Sequence, residues 1–220
     1  MCGRYSLTTA IDRLLPRLRG ALPEGLREHY LPRVQVRPSE PVLIQREIEG
    51  HPEVAFAAWG LLPAWLKDPR GRTRPINARS ETVAEKPYFR GAWRQHRCLL
   101  PADGFYEWRP VAEAPAVPGC GRPRKQPHLI RRCDGAPFWL GGVWDRWLGA
   151  DGSEIDTCCI LTTAPNDLLR PIHERMPVVV PDDRVEPWLM ARGAAPLRQL
   201  EPLLQPWDPG GWEALPLERL

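Results

Sequence analysis

The sequence predicts an α+β fold with a mainly antiparallel, barrel-like β-sheet core and a few peripheral helices. Three observations support this class. The 27 prolines and 18 glycines are scattered along all 220 residues and interrupt regular structure often. The apolar runs between them are short, which is typical of strands. Only a few segments are suited to a helix.

Eight segments predict strands because they are apolar, rich in β-branched or aromatic residues, and bounded by turn formers. They are residues 42–48, 54–59, 97–100, 105–108, 128–132, 138–143, 157–163 and 177–180. Four segments predict helices, namely residues 10–19, 87–95, 165–169 and 182–192. Pro87 and Pro165 suit the first turn of their helices, where a missing N–H costs no hydrogen bond.

The length of the chain is enough for one sizeable core, so we expect a single domain over residues 1–220. Residues 111–127, VAEAPAVPGCGRPRKQP, are rich in proline, glycine and alanine and end in basic residues. This composition predicts an exposed, flexible hairpin insertion. We expect a monomer, because no long amphipathic or heptad stretch indicates an obligate interface.

The composition and the pattern of apolar residues also indicate where in the cell the protein is located. Hydrophobic residues make up 43% of the chain, which excludes a disordered protein. No stretch approaches the roughly 18 apolar residues that a membrane span needs. No charged and then apolar leader opens the sequence. We therefore expect a cytoplasmic protein without a membrane partner, associated with the nucleoid when it binds DNA.

Six cysteines are present, an even number that permits disulfides. The chain is long, however, and has neither a secretion signal nor a C-x-x-C pair. We therefore expect reduced and mostly buried thiols and no structural zinc or other metal. No G-x-G-x-x-G or phosphate-loop pattern occurs, and we expect no cofactor.

The cations are almost all arginine: 27 of the 30 basic residues, in a chain of net charge +3. A GC-rich genome favours arginine codons, but guanidinium groups also bind phosphates bidentately. A nucleic-acid partner is therefore permitted. Among the ten tryptophans, we expect Trp139 and Trp144 in the core and others as platforms on which bases stack.

The chain begins MCGRY, with Cys2 directly after the initiator methionine. Once Met1 is removed, Cys2 carries an α-amine and a thiol on neighbouring carbons. Their reference pKa values, about 7.7–8.0 and about 8.5, leave some of each nucleophile available near neutrality. Such an aminothiol condenses with an aldehyde to a Schiff base and then closes to a thiazolidine. Alone, Cys2 also fits a chance residue at a frayed end.

Two further motifs contain polar residues suited to this chemistry. In PINARSE, residues 75–81, Asn77 is suited to orienting a substrate oxygen and Arg79 to binding a phosphate. The alternative is an Asx turn followed by a helix cap at Ser80. In DGFYEW, residues 103–108, Glu107 lies among aromatic residues, which would raise its pKa and suit general acid–base catalysis. The alternative is a solvent-facing glutamate on an alternating strand.

A third motif, PIHERMP at residues 171–177, contains His173 and Arg175. Histidine is the natural proton shuttle near neutral pH, and arginine is suited to a phosphate. A single histidine more often has a purely structural role, so this motif alone does not decide between the two interpretations.

Together, MCGR, INARSET, GFYEW and IHERMP closely resemble the SRAP family, whose name means SOS response-associated peptidase. The flanking sequences WGLLPAW, RCLLPADGFYEW, FWLGGVWD and LTTAPNDLLRPIHERMPVVV agree with this resemblance. It extends from residue 1 to about residue 189, and it depends on no single motif. It implies an SRAP-like fold.

The resemblance implies a sensor of abasic sites in single-stranded DNA that forms a DNA–protein crosslink through Cys2 after autocatalytic removal of Met1. By the same resemblance, Glu107 is the acid–base group for sugar ring opening, Schiff-base formation and release. His173 would polarise the opening sugar and aid reversal. Asn77 would position the N-terminus and the ring-opened deoxyribose.

A single strand also needs cations for its phosphates and apolar surfaces for its bases. The resemblance assigns the phosphates that flank the lesion to three arginines, Arg4, Arg79 and Arg175. The candidate apolar surfaces are Pro38, Trp65, Leu66 and Trp108.

The sequence departs from the family pattern at two places. Relatives often carry Asn-Val-Ala-Pro where this chain has Gln35-Val36-Arg37-Pro38. They often have two tryptophans where this chain has Trp65-Leu66. We therefore do not assign to this chain the second positioning amide of the first motif or the bulky aromatic wedge of the second.

Three alternative functions remain open from the sequence. A thiol peptidase acting on other proteins would agree with the family's name. Glutamine amidotransferases of the N-terminal-nucleophile type also begin Met-Cys-Gly, although they usually carry a large synthase domain for which this chain has no room. A non-catalytic single-strand-binding module would leave Cys2, Glu107 and His173 unexplained.

Overall fold

The structure, a computed structural model, describes residues 2–111 and 125–220. These residues form thirteen strands: β1 (Tyr5–Leu7), β2 (Arg33–Val36), β3 (Pro41–Ile48), β4 (His51–Trp59), β5 (Asn77–Arg79), β6 (Arg97–Ala102), β7 (Gly104–Pro110), β8 (Lys125–Arg132), β9 (Phe138–Leu148), β10 (Glu154–Thr163), β11 (Met176–Pro177), β12 (Val179–Val180) and β13 (Trp212–Pro216). They also form five short helices: α1 (Ile11–Leu14), α2 (Leu26–His29), α3 (Arg90–Gln95), α4 (Val185–Met190) and α5 (Ala194–Arg198). The predicted α+β class with a mainly antiparallel core is confirmed.

Five strands close into a barrel. Strands β4, β3, β6, β9 and β10 follow one another in antiparallel pairs, of which the β9–β10 pair extends from Glu154↔Leu148 to Ile160↔Gly142. A short parallel pairing of β10 with β4, at Thr157↔Ala58 and Cys158↔Trp59, closes the ring. Strand β5 also pairs in parallel with β10, which attaches Asn77 to the barrel wall.

A second sheet is antiparallel throughout, with the strand order β13-β8-β7-β1-β2. Its central strand β7 pairs with β1 at Tyr5↔Phe105 and Ser6↔Gly104. This pairing brings the start of the chain beside the strand that carries Glu107.

The core consists of two packed layers of buried side chains. Because side chains alternate along a strand, β9 contributes to both: Trp144 belongs to one layer, and Trp139 and Val143 belong to the other. Both predicted core tryptophans, Trp139 and Trp144, are confirmed as buried.

The predicted helix at residues 10–19 is shorter than expected. Helix α1 ends at Leu14, and a 3-10 turn over Leu15–Arg17 follows. Pro16 has no N–H and cannot continue the α-helical hydrogen-bond pattern. Similarly, residues 182–192 form a 3-10 turn, Asp182–Arg184, before α4.

The predicted helix at residues 165–169 was wrong. This segment forms turns, in which the side chain of Asn166 accepts a hydrogen bond from the Leu169 N–H at 3.1 Å. Pro171 cannot donate the next helical bond. In the predicted helix at 87–95, Pro87 lies in a turn, and α3 begins three residues later at Arg90.

Four strands were not predicted from the sequence, namely β1, β2, β5 and β13. Each has three to five residues, too few to show a clear alternation of apolar and polar side chains. Of the predicted insertion at 111–127, residues 112–124 lie outside the described residues. Residues 125–127 belong to β8, whose Lys125 pairs with Pro110 at the end of β7.

Most of the described cysteines are buried, as expected: Cys2, Cys98, Cys158 and Cys159 are buried, and Cys133 is exposed. Within residues 2–111 and 125–220, we find no helix long and apolar enough to cross a membrane.

Candidate active site

Cys2 is fully buried at the start of the described chain. Its thiol lies 3.9 Å from the backbone carbonyl oxygen of Arg4, to which it donates. Burial, and then the nearby Glu107 carboxylate, raise the pKa of this thiol well above its usual range. The resting cysteine is therefore a protonated thiol, and its attack on an electrophile requires a base.

Asn77 holds the backbone of Cys2. The Asn77 Nδ2 donates a hydrogen bond to the Cys2 carbonyl oxygen at 3.0 Å, across 75 residues of sequence. Strand β5 positions Asn77 through its parallel pairing with Ile160 on β10. The amide oxygen Oδ1 is buried and has no hydrogen-bond partner among the described residues. It is therefore available to a group on Cys2 or on a substrate.

Glu107 points inward from β7, on the same face as the core residue Phe105. Its exposure is only 1%, so the solvent-facing alternative is excluded. Burial raises the pKa of Glu107 from its ordinary value near 4.5 to about 7. At neutral pH, the carboxyl group can therefore either donate or accept a proton.

His173 faces Glu107 from the turn that follows β10. Its Nε2 lies 3.8 Å from Glu107 Oε2. Its Nδ1 accepts a hydrogen bond from the backbone N–H of Arg175 at 2.9 Å. The same Nδ1 also lies 3.1 Å from the Arg175 carbonyl oxygen, which would accept a hydrogen bond if Nδ1 carried a proton. Because a backbone N–H can only donate and its contact is the shorter of the two, we assign the proton of the neutral ring to Nε2, toward Glu107. Burial lowers the pKa of His173, which favours this neutral form near pH 7.

The structure thus brings together all four residues that the sequence predicted as catalytic. Asn77 contacts Cys2, Glu107 raises the pKa of the Cys2 thiol, and His173 faces Glu107. They come from β5, β7, the segment before β1 and the turn after β10. The arrangement combines a nucleophile with a carboxyl group and a neutral imidazole that can move protons.

The family model described as SOS response associated peptidase (SRAP) matches residues 1–220. The chain belongs to this family. The match confirms the resemblance on which the sequence interpretation rested. It also extends past residue 189, where the recognised motifs ended, and includes α5 and β13.

Comparisons with named proteins and solved structures agree with membership of this family. This SRAP chain is 34% identical over 222 residues to abasic site processing protein YoqW of Bacillus subtilis strain 168, covering 100% of this chain and 93% of that protein. It is 30% identical over 237 residues to abasic site processing protein HMCES of Gallus gallus, covering 94% and 70%. A crystal structure of a Bacteroides thetaiotaomicron protein matches with a TM-score of 0.83 and 27% identity, covering 99% and 92%.

The predicted DNA-binding residues of this SRAP protein lie in several surroundings. The Arg4 guanidinium lies over the ring of Trp108, 5.5 Å from its centroid. Pro38 and Arg79 are exposed on the surface. Arg175, in contrast, has only 12% of its side chain exposed and is paired with Glu81.

In the predicted apolar surface, the Trp65 ring packs against another aromatic ring. Trp65 is 60% exposed, and its ring meets that of Tyr88 edge-on at 6.0 Å. Leu66 is half-buried, and its carbonyl oxygen accepts a hydrogen bond from Trp147 Nε1 at 2.6 Å. The other departure from the family pattern, Gln35, accepts a hydrogen bond from Arg37 at 3.2 Å.

Sequence reasoning missed Asp103, which anchors the N-terminal segment. Its carboxylate accepts hydrogen bonds from Ser6 Oγ at 2.7 Å and Thr9 N at 2.7 Å, and also from the backbone N–H of Thr8. These partners lie 94 to 97 residues away in sequence, so no local pattern could reveal them. The one available signal was its place at the start of the DGFYEW motif.

A cavity of about 560 Å³, lined by residues that include His96, Trp144 and Arg192, shares no residue with the catalytic cluster. In the described part of the chain, no group of three or more His, Cys, Asp or Glu side chains could hold a metal ion.

Proposed function

We propose that this protein recognises abasic sites in single-stranded DNA and bonds covalently to them through Cys2 after loss of Met1. The observation that carries the proposal is the buried cluster in which Asn77 holds Cys2 beside the Glu107–His173 pair. The names of its relatives, abasic site processing proteins, support the same substrate. The crosslink would shield the lesion during a DNA damage response.

The first step is removal of Met1. One water molecule is consumed across the Met1–Cys2 peptide bond, which releases methionine and leaves the α-amine of Cys2 free. In our proposal the cluster catalyses this cleavage on its own chain. The peptidase in the family name then needs no protein substrate in trans.

The second step opens the sugar, because an abasic deoxyribose is mostly a closed hemiacetal. The bond between C1 and the ring oxygen breaks, and one proton moves from the C1 hydroxyl to the ring oxygen. The Glu107 carboxylate takes this proton and returns it, for which a pKa of about 7 is well suited. The Nε2–H of His173 donates a hydrogen bond that stabilises the charge developing on the ring oxygen.

The third step joins protein and DNA. The Cys2 amine adds to the aldehyde carbon, and water leaves after Glu107 in its acid form protonates the hydroxyl group. The thiol sulfur then adds to the carbon of the resulting Schiff base, and the thiol proton ends on the nitrogen. The product is a thiazolidine, so β-elimination does not cut the strand.

The strand itself needs contacts on both sides of the lesion. We propose that Arg4, Arg79 and Arg175 bind flanking phosphates, and that bases rest on Pro38, Trp65, Leu66 and Trp108. We further propose that the protein acts as a monomer of one domain, in the cytoplasm.

A denaturing gel tests the proposal. Single-stranded DNA with one abasic site should give a shifted covalent band that is absent with duplex or undamaged DNA. The band should be lost in Cys2→Ala and retained in Cys133→Ala, the matched control at an exposed thiol. No band with the unaltered protein would refute crosslinking. Casein or glutamine hydrolysis by the same preparation would instead indicate the peptidase or amidohydrolase alternative.

A further inference from the structure

Glu81 ends the PINARSE motif, and the proposed chemistry does not use it. In the structure its carboxylate receives both arms of the Arg175 guanidinium. Arg175 Nη1 donates to Oε1 at 2.6 Å, and Nη2 donates to Oε2 at 2.8 Å. This bidentate geometry fixes the plane of the guanidinium, which a single contact would not do.

The same arginine is also tied to the barrel. Arg175 Nη2 donates to the backbone carbonyl oxygen of Thr162 on β10 at 2.6 Å. With only 12% of its side chain exposed, Arg175 is largely enclosed, whereas Glu81 is 48% exposed. Arg175 is therefore held between the segment after β5 and the wall of the barrel.

The backbone of Arg175 in turn sets the ring of His173. Its backbone nitrogen lies 2.9 Å and its carbonyl oxygen 3.1 Å from His173 Nδ1, and these two contacts hold the ring with Nε2 facing Glu107. The shorter contact comes from an N–H that can only donate, which assigns the ring proton to Nε2. A continuous chain of contacts thus runs from Glu81 through Arg175 to His173. Its far end lies next to the group that the proposed mechanism uses for proton transfer.

We propose that Glu81 is a positioning residue: by holding the Arg175 guanidinium, it keeps the His173 ring oriented with Nε2–H toward Glu107. This role rests on the proposed function of the same site. It also makes Arg175 more than a phosphate contact, because its side chain orders the turn that carries His173.

The first test is spectroscopic and needs no DNA. In the unaltered protein, ring ¹⁵N chemical shifts should show His173 as the Nε2–H tautomer. In Glu81→Gln, which cannot form the charged fork, the shifts should show a mixture of tautomers. Glu85→Gln removes the same charge from an exposed residue of the same turn and should leave the His173 signals unchanged.

The second test separates positioning from binding. At saturating abasic-site DNA, Glu81→Gln should crosslink roughly tenfold more slowly, because small misplacements of catalytic groups cost rate. Its Kd for undamaged single strands should change less than about twofold, since the phosphate-binding cations remain. Glu81→Asp, which keeps the charge, should recover part of the rate.

The outcomes are distinct. A folded Glu81→Gln with an unchanged His173 tautomer and an unchanged rate would overturn the positioning role. A loss of rate that merely follows a loss of affinity would overturn it too. If Glu81→Gln does not fold, Arg175→Lys keeps both charges but lacks the fork, and it should give the same tautomer mixture. Absence of crosslinking by the unaltered protein would refute the proposed function, whereas the tautomer test would still decide the role of Glu81.

Discussion

The acid–base pair at the site consists of two side chains whose pKa values burial shifts in opposite directions. Glu107 is raised to about 7, and His173 is lowered. Each is thereby uncharged for much of the time near neutral pH, and in the proposed mechanism each exchanges protons with a sugar oxygen. Burial of Cys2 keeps its thiol protonated, and in the proposed mechanism this protects the thiol from other reactions until a Schiff base forms.

The substitution Glu107→Gln tests the acid–base role of this side chain through the crosslinking rate. The variant keeps the shape of the side chain but cannot transfer protons, so the crosslinking rate should fall by about 10²- to 10⁴-fold. Its affinity for undamaged single-stranded DNA should stay nearly constant. Time courses at saturating DNA, together with fluorescence anisotropy, separate the two quantities. A fall in affinity that matches the fall in rate would make Glu107 a binding residue.

The same buried carboxyl group predicts a pH dependence of stability. Because its pKa is higher in the folded state, the folded protein binds more protons than the unfolded chain between about pH 4.5 and 7. Stability therefore falls as the pH rises through this window, and the loss is complete above it. The pKa difference between the folded and unfolded states corresponds to a loss of about 3 kcal/mol in the free energy of unfolding.

Glu107→Gln should consequently be more stable than the unaltered protein at pH 8, by roughly 6–12 °C in Tm, and nearly equal to it at pH 4.5. Thermal unfolding at both pH values measures this difference. An equal Tm at pH 8 would mean that the carboxyl group is not destabilised by burial, and its proposed role as an acid near pH 7 would lose its basis.

At the scale of elements, the site depends on short strands that are stabilised by contacts with other parts of the chain. Strand β1 has three residues, and its pairing with β7 is reinforced by the hydrogen bonds of Asp103 to the residues that follow Cys2. Strand β5 also has three residues and depends on β10. These small elements position Cys2 and Asn77, while the long barrel strands provide the rigid frame.

Asp103→Ala should therefore affect both stability and chemistry. Loss of its hydrogen bonds to Ser6, Thr8 and Thr9 should cost about 3 kcal/mol of unfolding free energy and lower the Tm by roughly 6–12 °C. Crosslinking measured well below the Tm should also slow, because the segment that bears Cys2 loses its anchor. Asp208→Ala, at a surface turn with one local hydrogen bond to Gly210, should change neither property appreciably. Equal effects of the two substitutions would contradict the anchoring role.

The sequence predicted the long elements well and the short ones poorly. The apolar runs of β3, β6, β9 and β10 were recognisable because they extend over six to eleven residues. Likewise, Cys2, Asn77, Glu107 and His173 were recognisable from their chemistry and family motifs. The contacts of Glu81 with Arg175 join residues 94 positions apart, and only the folded chain brings them together.

At the scale of the whole molecule, the net charge of +3 is modest, so we expect DNA binding to depend on locally placed arginines. If Arg4, Arg79 and Arg175 neutralise three phosphates, a plot of log Kobs against log salt should have a slope of about −2. Arg79→Ala should reduce the magnitude of that slope by about 0.7, whereas Arg184→Ala, on the turn before α4, should not. A slope unchanged by Arg79→Ala would remove it from the phosphate contacts.

Intact mass spectrometry of the crosslinked protein after nuclease digestion identifies the bond between Cys2 and the abasic sugar. A thiazolidine predicts a protein without Met1 that carries the abasic nucleotide minus one water, with a mass unchanged by borohydride treatment. Cys2→Ala, prepared with its Met1 already removed, has a free amine but lacks the thiol, and it should give an adduct only when borohydride traps its Schiff base. Retained Met1, an adduct on another residue, or a wild-type adduct that borohydride reduces would rule out a thiazolidine at Cys2.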